Sequence, residues 1–122
     1  MRHAKKAATN PLQTDHQATC KANPGRTGWA ANLAHAATHV LISGLLLAIG
    51  TAALGWHLPP LPAAVAVVWI GATHSLIDRR WPIQRWMRLA RQSKWAERGG
   101  AAHVDQTAHI TALVVAALCL AA

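Results

Sequence analysis

Between Arg26 and Asp78 the sequence has no charged side chain, and after Asp105 it has none again. All twelve Lys and Arg fall in two blocks, 2–26 and 79–98. Charge segregated this cleanly from apolar sequence is the pattern of membrane spans joined by solvated segments, and it argues against a soluble domain. Cysteine pairs are also missing. Cys20 and Cys119 stand alone and far apart, so neither a disulfide framework nor a Cys-type metal site is expected. A secretory pattern is lacking as well: Met1 to Gly28 carries basic residues with no apolar core after them. The first apolar segment is therefore expected to act as the insertion signal and to stay in place. No internal repeat is found, and no low-complexity tract beyond richness in alanine.

What is present is a formal net charge of +8 on 122 residues. Nucleic acid is not the expected partner, because DNA-binding proteins usually display such charge on a soluble fold with a reading element. Here the charge flanks apolar stretches close to the roughly 20 residues a helix needs to cross a bilayer. Contact with anionic lipid headgroups, at about 1 kcal/mol per basic residue near the surface, accounts for it more simply.

The expected fold is all-α: an integral membrane bundle of three transmembrane helices with a basic amphipathic surface helix between the second and third. Residues 1–28 read as a basic cytoplasmic lead, with a short helix conceivable over 12–22. The bundle occupies 29–122, with spans at about 29–55, 61–78 and 104–122. Trp29 and Trp56 bracket the first span as interface anchors. Gly44 and Gly50 would allow close helix approach there. The turn His57-Leu58-Pro59-Pro60 is so short that the second span must run antiparallel to the first, with Pro62 in its first turn. Gly71 and Ser75 offer a small-residue ridge, and Trp69 is expected to pack against another helix. Over about 82–98, Ile83, Trp86, Met87 and Ala90 recur on one helical face. The basic residues Arg79, Arg80, Arg85, Arg88, Arg91, Lys94 and Arg98 are expected to meet anionic lipid headgroups.

Orientation follows from the basic residues. The lead and the 79–98 segment carry them all, while the 56–60 turn and the C-terminal end carry none. Three crossings put both basic segments on one side, which the positive-inside rule makes cytoplasmic. The expected location is the inner membrane, with the N-terminus cytoplasmic and the C-terminus outside.

Each span also carries a pair of coordinating residues four apart: His35 and His39, His74 and Asp78, Asp105 and His109. Residues four apart share a helix face, separated by about 6 Å of rise. All six fall within roughly 15 Å of the cytoplasmic surface at 1.5 Å per residue. An ionisable group inside a span costs at least a few kcal/mol on insertion scales, so six of them call for a reason. Four imidazoles and two carboxylates suit zinc or a mid-series divalent metal. Hydrogen bonding between helices is the plainer reading of the same residues. Haem ligation by two His would leave both Asp without a purpose. His3, His16 and His57 read as solvated, and His103 either joins the site or faces the headgroups.

The stretch Leu12-Gln13-Thr14-Asp15, then Lys21, His35, His74 and Asp78, then Asp105-Gln106 and His109, resembles the domain-of-unknown-function 3307 family of small bacterial and phage integral membrane proteins. The likeness runs in unbroken order from residue 12 to residue 122. It adds Gln13, Asp15, Lys21 and Gln106 to the residues of interest. Members of that family usually open with another apolar helix, whose place is held here by Met1 to Asn10, so the chain looks like a shortened member. The resemblance implies the membrane bundle and the polar constellation but names no reaction.

Three functions fit these observations. One is a membrane metalloprotein, a hydrolase of a lipid-borne or cytoplasmic ester. In it His35, His74 and His109 hold the metal, with Asp78, Asp105 or Asp15 as ligand or base. Another is a non-enzymatic anchor or interaction module whose basic helix binds lipids or a partner. The third is a holin-like pore, against which the polar residues stop by mid-membrane. Three helices make a thin bundle, so a homodimer is expected.

Overall fold

The computed structural model describes residues 14–122; within the first helix, the side chains of Asp15 and Ala18 stand outside that description. Gln13 and the Asp15 side chain therefore lie outside the described residues. The elements are α1 (Asp15–Cys20), α2 (Gly25–Leu54), α3 (Pro60–Asp78), α4 (Trp81–Leu89), the single turn α5 (Ser93–Trp95) and α6 (Ala101–Ala121).

Thr14 caps α1: its Oγ1 accepts from the Gln17 N–H at 3.2 Å, and Gln17 Oε1 accepts from the Thr14 N–H at 3.1 Å. This reciprocal capping box fixes the start of a helix too short to persist alone. After α1 the chain turns sharply onto α2. Gly28 makes the turn possible, because a Cβ there would overlap the carbonyl of Asn23. The tight turn sets Lys21 against the bundle.

Helices α2, α3 and the segment Ser93–Ala121 are long and apolar enough to cross a membrane. At 1.5 Å per residue, α2 is about 45 Å long and exceeds a hydrocarbon core of about 30 Å. It begins at Gly25, four residues ahead of the expected span. Helix α3 is central, packing on α2 along one side and on α6 along the other, while α2 and α6 hardly meet. The result is a cleft with α3 as its floor.

The packing is inverted relative to a water-soluble domain. The buried apolar residues are mostly alanines, such as Ala31, Ala36, Ala66, Ala112 and Ala116. Leu41, Leu45, Val68 and Leu118 lie exposed on the outside, while Asn32, His35, Ser75, Asp78 and Arg79 are buried. Small residues let helices approach where lipid offers no hydrophobic drive between them. Gly71 faces Val40 and Ser75 faces Asn32, so the small-residue ridge of α3 is its contact with α2. Gly44 has open space around it, so among the described residues no helix uses that glycine for close approach. Trp69 is tied to another helix, its indole N–H donating to the Ala112 carbonyl of α6 at 3.0 Å.

The amphipathic helix exists but is shorter than expected. It covers Trp81–Leu89 and buries Ile83 and Met87 against α3 and α6, leaving Trp86 exposed. Arg91 then adopts a left-handed φ of 57°, which ends the helix and starts a new one at Ser93. Residues 93–98 thus lead into α6 through a wide turn at Ala96–Gly100, kinked at Gly99 with φ 101°.

Candidate metal centre

Asp78, at the last turn of α3, is the hub of the cleft. Its Oδ2 lies 3.1 Å from His35 Nε2, 3.3 Å from His74 Nε2 and 3.0 Å from Lys21 Nζ. The two Nε2 atoms are themselves 3.1 Å apart. His109 Nε2 approaches the other carboxylate oxygen at 3.7 Å. The His39 ring lies tilted against His74 with centroids 4.0 Å apart, and His74 meets His109 edge-on at 4.5 Å. Two sets of ligand atoms, His35–His39–His74 and His74–Asp78–His109, each lie within 4.8 Å of one another and share His74.

The i, i+4 spacing does the local work. On α2 it points His35 and His39 at the α3 floor, and on α3 it stacks His74 over Asp78. These separations suit an ion. Zinc held tetrahedrally at about 2.0–2.1 Å has ligands about 3.3–3.4 Å apart. His35 Nε2, His74 Nε2 and Asp78 Oδ2 come within a few tenths of an ångström of that. Buried polar atoms ordinarily find partners, yet His39 Nε2 and His109 Nε2 are buried beside this set without a hydrogen bond. Imidazole nitrogens left free around a carboxylate suit a divalent metal better than they suit a closed hydrogen-bond network.

A supporting layer holds this arrangement. Asn32, fully buried, donates from Nδ2 to the Ser75 carbonyl at 2.9 Å and accepts the Ser75 hydroxyl on Oδ1. This pair locks α2 to α3 one turn from His35 and directly beside His74. Arg79 donates to the Lys21 carbonyl at 2.9 Å and lies over the Trp29 ring at 4.4 Å, so the turn carrying Lys21 is clamped in place. Asn32→Ala leaves Ser75 without its partner, and an expected loss of about 1–3 kcal/mol follows from the unsatisfied group. Denaturant titration in detergent checks this, with Thr38→Ala, whose hydroxyl donates to the Ala34 carbonyl within the same helix, as the control.

The remaining sequence candidates divide clearly. Asp105 stands at the cleft edge, its Oδ2 3.5 Å from His109 Nδ1 and its side chain 35% exposed. Gln106 lines the cleft and is exposed. Arg80, Arg85, Arg88, Arg91, Lys94 and Arg98 are exposed. Arg79 is a correction: expected among the lipid contacts, it is only 8% exposed, because its guanidinium is engaged by Lys21 and Trp29. His103 turns away from the site and stacks parallel to Trp95. Spacing alone missed Asn32 and the role of Lys21, and it offered Ser75 only as a small residue for helix contact. A lone Asn one turn before His35 in an apolar run was the available signal.

Fold and site together define an all-helical protein with three helices of membrane-crossing length and apolarity around a His/Asp cluster. Residues 10–122 match the family described as a protein of unknown function (DUF3307), and the chain belongs to that family. No curated protein and no solved structure matches it.

Proposed function

We propose that this is a membrane metalloprotein that hydrolyses an ester, with zinc or a similar divalent ion held by His35, His74 and Asp78. The convergence of those three lone-pair atoms at tetrahedral-edge distances carries the reading. His109 and His39 stand just outside, able to complete the shell or to orient it. Three near ligands with a more distant fourth suit a catalytic site, which keeps a position open for water. A divalent ion there makes bound water nucleophilic near neutral pH. Asp105, the more exposed carboxylate and 3.5 Å from His109 Nδ1, is the residue we assign as general base. The basic residues at this end of the bundle favour a cleft that opens to the cytoplasm.

The experiment is hydrolysis by the full chain in liposomes, stripped with chelator and reloaded with zinc or manganese. Cleavage of an ester probe is expected only after reloading, and Asp105→Asn lowers it about 100-fold or more, the scale of a general acid–base group. A reloaded protein that cleaves neither carboxylic nor phosphoric esters contradicts the catalytic half of the proposal.

A second reading has its own observation. The Lys21–Asp78 pair ties the N-terminal turn to the bundle without any ion, and the exposed Arg85, Arg88 and Lys94 suit anionic headgroups. On that reading the protein is an anchor or interaction module. It then works unchanged when the six His and Asp residues are replaced in a chain that still folds.

A further inference from the structure

We infer that the cleft takes an anionic membrane lipid from the side, with its phosphate at Lys21 and Arg80 and an acyl chain toward Ser43 and Leu113. The inference deepens the proposed hydrolase by naming its substrate class, and it rests on reading the cleft as a reaction site.

The lining is graded along the helices. At the mouth stand Lys21, Arg80 and Asp105; next come the imidazoles; Ser43, Ile70 and Leu113 close the deep end. Ser43 is eight residues beyond His35, about 12 Å further along α2. A charged, then ligating, then apolar lining over that distance matches an amphiphile better than a soluble ester. The cavity, about 600 Å³, lies within the roughly 300–1,000 Å³ range of small-molecule sites. Because α2 and α6 hardly meet, one long side of the cleft is unwalled, and Leu113 on that side is 49% exposed. In a bilayer this side faces lipid.

Charge selects the headgroup. Lys21 is held by Asp78 at 3.0 Å, whereas the Arg80 side chain has no hydrogen bond or ion pair among the described residues. Its backbone is held at a φ of 65° between α3 and α4, a left-handed conformation uncommon outside glycine. Such strain persists where the surroundings over-determine it and often marks a working position. The open Arg80 guanidinium is therefore what favours a phosphate at the mouth, and it does so with or without an ion in the cleft. A second copy of the chain would bring the same cations to the same mouth, which disfavours it as the occupant.

The test uses the full chain in neutral detergent, freed of metal by chelator, with phosphatidylglycerol or phosphatidylcholine of matched acyl chains added. Native mass spectrometry reads the lipid retained, counting only the fraction lost on Ser43→Trp, which fills the deep end. Leu45→Trp, on the lipid-facing side of α2, is the control that keeps it. Phosphatidylglycerol is expected to exceed phosphatidylcholine about fivefold, the scale of one basic contact near a surface. Arg80→Gln removes that preference, and glycerol 1-phosphate in tenfold excess leaves the lipid in place. Arg80→Gly also removes it while relieving the backbone, so loss of fold is separated from loss of binding. Equal retention of the two lipids, displacement by glycerol 1-phosphate, or a dimer that excludes lipid would each overturn the inference. Since the protein tested is metal-free, failure of the metal reading leaves this result standing. Metal uptake without lipid preference sinks only the lipid inference.

Discussion

Replacing Asp78 with alanine is expected to destabilise the bundle by about 3–5 kcal/mol, the cost of breaking a buried ion pair from one side. Asp78 is 5% exposed and Lys21 reaches its carboxylate at 3.0 Å, so the alanine leaves an ammonium without its counter-charge. His35 and His74 lose their shared acceptor in the same step. Tryptophan fluorescence during denaturant titration in detergent measures the loss. The double variant Lys21→Met, Asp78→Leu recovers most of the stability, because removing both charges also removes their desolvation penalty. It does not recover metal binding. A single Asp78→Ala variant within about 1 kcal/mol of the parent, the value of an exposed pair, would mean that the carboxylate is not the hub.

His74→Ala has the opposite profile. His74 is the residue common to both sets of ligand atoms and one of the three nearest ligands, so its loss breaks both sets. Affinity for zinc is expected to fall by more than about 100-fold, beyond the 10–100-fold typical of losing an outer-shell partner. Stability changes far less than with Asp78→Ala, since no buried charge is stranded. His103→Ala, at the ring stacked on Trp95, leaves zinc affinity unchanged. Competition titration against a chromophoric chelator reads all three proteins. Equal affinity in His74→Ala and the parent contradicts the assignment.

Some of this site was legible in the sequence for a definite reason. The i, i+4 repeat survives any tilt or packing angle, so His35/His39, His74/Asp78 and Asp105/His109 had to share faces whichever way the helices crossed. What spacing does not carry is which helix is central. Because α3 is the floor, Asp78, at its last turn, becomes the hub. Asn32 escaped notice as an isolated small polar residue, and Ser75 read only as part of a small-residue ridge; their apposition across α2 and α3 gives both a further role. Lys21 entered through family likeness alone. Its position depends on the turn that Gly28 permits, which no periodicity reports. The end of α4 was equally hidden. Arg91 takes a left-handed conformation with neither glycine nor proline to mark it, and an apolar face that continued to Ala90 read as one helix to residue 98. Arg79 and Arg80 are neighbours with the same chemistry, yet one is buried and the other open, because the helix ends between Asp78 and Arg80.

The claim on which the rest depends is that the cleft binds an ion through imidazole and carboxylate. Metal analysis of the gently purified chain, followed by zinc X-ray absorption, tests it most directly. The account predicts about one ion per chain, with nitrogen and oxygen neighbours at about 2.0–2.2 Å and no sulfur shell near 2.3 Å. It also predicts multiple-scattering features of at least two imidazoles, lost in His74→Ala. A folded chain that carries no metal and takes up no zinc from micromolar solution would contradict it.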